Sequence, residues 1–154
     1  IEVVVHPTSV VHSMVEFYDG STLVQASPPS MLIPIALGLA WPDRVRDAAP
    51  AVDWSRPETW EFFPLDDDAF PAVRLAREAG SRGGTSPAVY NAANEVCVEA
   101  FLAGAMRFTD IVAVIETVLG WHDVPSSEDL DVEDVLAADA WARVETRKEL
   151  ERHR

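Results

Sequence analysis

The period of the hydrophobic positions changes along the chain. Up to about residue 27 apolar and polar residues alternate, and from about residue 70 onward apolar residues recur at helical spacing. The opening "IEVVV" is β-branched, "VVHSMVEFY" alternates, and "STLVQA" returns after "DG". Two strands joined by a two-residue turn at Asp19–Gly20 are therefore predicted. Strict alternation puts Val11, Ser13, Val15 and Phe17 on one face and His12, Met14, Glu16 and Tyr18 on the other. The second face is unusual, because a strand buried on both sides would carry Val and Ile there. The chain also begins in strand character at Ile1, with no Met, as expected of a piece of a longer polypeptide.

Pro28 and Pro29 stop the strand pattern, Ser30 is placed to cap, and the apolar run to Trp41 predicts a short buried helix ended by Pro42. From Asp43 to Asp68 periodicity is lost. Pro50, Pro57 and Pro64 with Trp54, Trp60, Phe62 and Phe63 predict a linker that lies on a surface through its rings. Four helices are expected after it. "FPAVRLAREAG" should end at Gly80 as a C-cap, and the next helix should start with Ser86 as N-cap and Pro87 in its first turn. The third begins at a Thr109 cap, with a stripe of Ile111, Val112, Ile115, Val118 and Leu119. An acidic loop around "PSSEDLD" leads to a last helix whose first turns are acidic and whose end is basic, matching the helix dipole. The fold class is α+β: a β-rich piece, a connector and a small helical bundle.

Composition narrows the partners. The chain has 154 residues, 48% of them hydrophobic, with 26 Asp and Glu against 12 Lys and Arg, a net charge of -14. Such a surface repels nucleic-acid backbones and anionic membranes, so neither is an expected partner. No run approaches the ~20 apolar residues of a membrane-spanning helix. Lys148 is the one lysine, so phosphate binding would fall to arginines or backbone amides. The single cysteine, Cys97, precludes an internal disulfide and suits a reducing compartment; in its apolar helix it reads as a small core residue.

Residue chemistry alone goes a limited distance. His6 and His12 with Glu2 and Glu16 do not have zinc-ligand spacing. His12 and Ser13, adjacent on a strand, point to opposite faces and make no nucleophile–base pair. His12 is either a hydrogen-bonded histidine of a half-buried sheet or a functional group. "GGTS" before a helix is either an anion-holding N-terminus or a plain capped loop. Asn91, Asn94 and Glu95 share one helical face and are expected to tie the bundle to its connector.

At "IEVVVHPTSVVHSMVEFYDGS", "PPSMLIPIALGLAWP" and "YNAANEVCVEAFL", with "FTDI" and "DVLAADAWAR" in the tail, the chain resembles the 1-deoxy-D-xylulose 5-phosphate reductoisomerase family along nearly its whole length. The resemblance implies an enzyme of isoprenoid biosynthesis. It would rearrange and reduce 1-deoxy-D-xylulose 5-phosphate to 2-C-methyl-D-erythritol 4-phosphate with NADPH and Mg²⁺, Mn²⁺ or Co²⁺. It further implies a cytoplasmic homodimer that associates through its catalytic domain. Residues 1–42 would then be the end of that catalytic α/β domain, 43–69 the connector and 70–154 the C-terminal helical domain. By the same resemblance Ser9 and Met31 lie at the cofactor, and His12 is the catalytic residue beside the catalytic carboxylates. Three positions depart from the family pattern: Thr8 stands for a usual Gln, Ser30 for Asp, and Leu32 for Arg or Lys. The glycine-rich NADPH loop, the metal ligands and the phosphate-binding set would lie upstream, so this piece by itself is expected to be inactive. The competing expectation is a non-catalytic helical interaction or dimerisation module.

Overall fold

A computed structural model of the chain describes residues 1–123 and 130–152. Among them the order is β1 (Val4–Val5), β2 (Val11–Glu16), β3 (Thr22–Ala26), α1 (Leu32–Ala40), β4 (Phe63–Pro64), α2 (Ala72–Arg82), α3 (Ser86–Leu102), α4 (Asp110–Trp121) and α5 (Val132–Arg152). The chain divides into two compact units, Ile1–Leu65 and Asp66–Arg154. No helix of the described residues is long and apolar enough to cross a membrane.

The first unit holds two antiparallel two-stranded ribbons, β1 with β4 and β2 with β3. In the second ribbon Glu16 pairs with Thr22, and the Phe17 amide donates to the Ser21 carbonyl at 2.9 Å. The loop is therefore the three residues Tyr18–Gly20, one longer than the predicted turn. Gly20 takes the left-handed position that closes a loop of this length, with φ 83°. Asp19 Oδ1 secures it by accepting from the Ser21 amide at 2.9 Å and from the Ser21 hydroxyl at 2.6 Å.

The predicted faces of β2 do not hold. Val11 pairs with Ala26 but Ser13 with Gln25, so His12 is the extra residue of a β-bulge. Paired residues share a face, which puts Val11 with Met14 and Glu16, and Ser13 with Val15. Alternation cannot reveal this, because a bulge inserts one residue without changing composition. The helix α1 also departs from expectation: none of its residues is buried, and Leu32, Ile35 and Leu39 are exposed. A nine-residue helix and two ribbons are too little to bury an apolar face between them. Of the linker aromatics, Trp60 is half-buried, Trp54, Phe62 and Phe63 are exposed, and Phe62 stacks on His6 at 4.4 Å.

The second unit is the four-helix bundle. Its core joins Ala79 of α2, Val89, Ala92, Ala93 and Cys97 of α3, Ile111, Val114, Ile115, Val118 and Leu119 of α4, and Ala142 of α5. On α4 Val114 replaces the predicted Val112 in the buried stripe. Helix α2 continues through Gly80 to Arg82 and stops at Gly83, whose φ of 67° only glycine adopts readily. The predicted caps do not form: the residue before α3 is Thr85, and neither Thr85 nor Thr109 makes a side-chain capping bond. Pro87 does sit in the first turn of α3. Most of the predicted acidic loop, 124–129, lies outside the described residues.

Candidate functional site

In the first unit, β2, β3 and the start of α1 enclose an open cavity of about 730 Å³. The turn after β1 supplies Ser9. Its amide donates to the His6 carbonyl at 3.0 Å, and its φ of 51° is a left-handed conformation that costs a serine energy. The turn is secured from behind by His6. Its Nδ1 donates to the Glu61 carbonyl at 2.8 Å, so in the neutral ring Nε2 is the acceptor for the Thr8 hydroxyl at 3.1 Å. Thr8, one of the three departures, thus acts as a brace for His6. Strand β4, paired Val4 to Pro64 and Val5 to Phe63, brings Glu61 and Phe62 beside this histidine.

The bulge supplies His12. Its exposed ring lines the cavity, and Nε2 lies 3.0 Å from the hydroxyl of buried Ser27. Gln25, on the same face of β3, lines the cavity beside them. Ser13, the neighbour of His12, does not line the cavity. The pair still makes no nucleophile, because the hydroxyl that meets the ring is that of Ser27.

The apolar wall comes from the segment that enters α1. Ser30 Oγ accepts from the Leu32 amide at 3.2 Å and turns the chain into the helix. Met31 is left projecting at 72% exposure, while Ile33, Pro34 and Leu37 form the helical face toward the cavity. Leu32, another departure, does not line it. Arg44 also lines the cavity, and no carboxylate stands among the described lining residues. The chemistry is that of a largely apolar slot that offers hydroxyls, an imidazole and a guanidinium.

Ser9, His12 and Met31, singled out from the sequence, thus line one cavity, although 22 positions separate the first from the last. Sequence reasoning passes over Ser27, Gln25 and Arg44. The first two follow from β3 alternation once the bulge is known; Arg44 lies in the stretch where periodicity is lost.

The remaining candidates have structural roles. Among the described residues no group of three or more His, Cys, Asp or Glu could hold a metal ion. Asn91 donates to Glu95 at 2.9 Å, and Arg143 of α5 pairs with Glu95 and with Asp139. Through Glu95 the polar face of α3 ties α3 to α5. Arg143 is the main reason that the Glu95 carboxyl lies below its ordinary range, with Asn91 adding to the effect. In "GGTS" the Thr85 hydroxyl meets His122 Nε2 at 2.8 Å, and Ser86 Oγ is buried without a hydrogen-bond partner. Cys97 is buried, which pushes its thiol up to about 11, an inert state.

The chain is similar to known proteins in sequence and fold. Residues 26–145 match the family model described as DXP reductoisomerase C-terminal domain. The chain is 66% identical over 149 residues to the 1-deoxy-D-xylulose 5-phosphate reductoisomerase of Kitasatospora griseola, covering 96% of this chain and 39% of that protein. It is 59% identical to the enzyme of the same name from Streptomyces avermitilis, covering 96% and 38%. Among solved structures, the reductoisomerase from Zymomonas mobilis in complex with NADPH superposes with a TM-score of 0.84 at 42% identity, over 97% of this chain and 39% of that one. A reductoisomerase in complex with NADPH, fosmidomycin and magnesium gives a TM-score of 0.87 at 35% identity, over 96% and 38%. The chain thus spans about two fifths of the length of these relatives.

Proposed function

The chain belongs to the DXP reductoisomerase family, and from that premise we propose that it forms the C-terminal part of an enzyme that rearranges and reduces 1-deoxy-D-xylulose 5-phosphate with NADPH. In this reading Ile1 to Pro42 is one wall of the catalytic domain, 43–69 the connector and 70–154 the helical domain. The enzyme is a cytoplasmic homodimer joined through its catalytic domain. The observation that supports it is the meeting of Ser9, His12 and Met31 on one cavity.

The lining suits the reactive end of a nicotinamide cofactor. Bound NADPH supplies the hydride. Met31, Ile33 and Pro34 offer apolar contact to a flat ring, and Ser9 and His12 offer hydrogen bonds to substrate oxygens. The same lining does not suit a divalent cation, since hard cations take oxygen ligands, chiefly carboxylates, and none is present among its described residues. The metal of this reading is therefore held by residues outside this chain, and His12 acts on the substrate side of it. The role of His12 is to hold a substrate hydroxyl or an adjoining carboxylate in place.

The test is NADPH oxidation by the full-length protein with 1-deoxy-D-xylulose 5-phosphate. The expected result is metal-dependent turnover that His12→Gln lowers by about 10- to 100-fold, the usual effect of losing a partner that orients reacting groups. Residues 1–154 without the rest of the protein should give no turnover. A full-length protein that leaves NADPH untouched in the presence of substrate and metal rejects the activity, and a His12→Gln enzyme of normal kcat rejects the role of His12.

A further inference from the structure

We propose that Ser27 is the positioning residue for His12: its buried hydroxyl, 3.0 Å from Nε2, holds the imidazole in one orientation on the cavity wall. The inference rests on the reading of His12 given above and adds a residue that acts through it.

Three observations carry it. The bulge removes His12 from the regular ladder, so strand pairing no longer dictates where its ring points. A histidine on an open wall would sample several rotamers, and a fixed partner removes that freedom. Ser27 is such a partner. It is 8% exposed, and its amide donates to the Val10 carbonyl at 2.9 Å, so the backbone carrying the hydroxyl is clamped next to the bulge. Finally, the contact is made through Nε2, one of the two ring nitrogens. A serine hydroxyl can donate to a neutral Nε2 or accept from a protonated one, so the anchor persists when the ring changes protonation.

The experiment uses the full-length protein with Ser27→Ala, Ser27→Thr and His12→Gln. Ser27→Ala is expected to lower kcat about 10-fold with a much smaller change in KM, as for other residues that orient a reacting group. Ser27→Thr, which keeps the hydroxyl, should recover most of the loss. In ¹⁵N spectra of histidine-labelled protein, the His12 ring signals, assigned by their loss in His12→Gln, should shift at Nε2 in Ser27→Ala as the hydrogen bond to the hydroxyl is lost. Unchanged ring signals or an unchanged kcat in Ser27→Ala would overturn the proposal. So would a loss that Ser27→Thr does not recover and that tracks a lower melting temperature, since packing would then explain it. If His12→Gln is impaired while Ser27→Ala is normal, this inference fails and the role of His12 stands. If His12→Gln is fully active, both fail.

Discussion

The two units of the chain use similar residues to opposite ends. In Asp66–Arg154 the apolar side chains of four helices converge on one another, and Leu75, Val89, Ile115, Val118 and Leu119 are essentially removed from solvent. In Ile1–Leu65 Val11 is the one buried hydrophobic side chain among the described residues larger than alanine. Val15 and Leu23 are exposed on one face of the hairpin, and Met14 and Val24 on the other. Helix α1 repeats the contrast: its sequence, LIPIALGLA, carries no polar side chain, yet the helix buries none of its residues. A four-helix unit can satisfy its own apolar surface, whereas two ribbons and a short helix cannot. The bundle buries its apolar side chains within itself, whereas the β-rich unit leaves most of its own exposed and carries the cavity.

The comparison is broken most directly by separating the units. Residues 66–154 alone should keep a helical circular-dichroism spectrum and melt cooperatively, while residues 1–65 alone should show no cooperative transition. A cooperative melt of 1–65 would mean that its exposed apolar faces are not the liability described.

Single substitutions sharpen it next. Ile115→Ala, at a position 1% exposed, is expected to cost about 2–5 kcal/mol in chemical denaturation of the chain. Leu39→Ala, at a position 85% exposed, should stay within about 0.5 kcal/mol. Equal costs at the two sites would erase the distinction.

Acidification should reach the bundle through His122. Burial holds this imidazole below the ordinary histidine value of 6.5, with Asp123 opposing and Arg82 adding to the effect. The unfolded chain therefore takes up the proton at higher pH than the folded one. Stability is intact above about pH 6.5 and declines as pH falls below it. Glu95 acts in a lower window: its carboxyl, depressed below 4.5 chiefly by Arg143, contributes stability above that pH which is lost as pH falls through the folded value. Melting temperatures of 66–154 between pH 8 and pH 5 should show the first decline, and His122→Gln should flatten it. An identical slope in the variant would remove His122 from the account.

A small effect is also expected at the cavity. His12→Gln in the 154-residue chain should change stability by no more than about 1 kcal/mol, the scale of one net hydrogen bond, measured by the same denaturation. A larger loss would make His12 a structural residue of the hairpin.

Much of this arrangement is legible from the order of residues. The change of period separates ribbons from bundle because side chains alternate on strands and recur every three or four positions on helices. Helical spacing yields the α4 stripe nearly in full, with Val112 in place of Val114, and the apolar neighbours of Cys97 place it in the core. Helix ends are less legible. Gly80 resembles a C-cap, but α2 passes through it, since the burial of Leu75 and the place of Ala79 in the bundle core offset the cost of an interior glycine.

Tertiary structure alone decided the wall. The local pattern of β2 permits one pairing register, but the pairing of Val11 with Ala26 and Ser13 with Gln25 creates a bulge that no composition signals. That bulge turns His12 to the side of Gln25 and Ser27 and gives it a partner 15 residues away. Local sequence determines which elements form, because backbone preference and side-chain period act over a few residues. Which residues meet depends on pairing and closure over longer separations, where one inserted residue reverses a face.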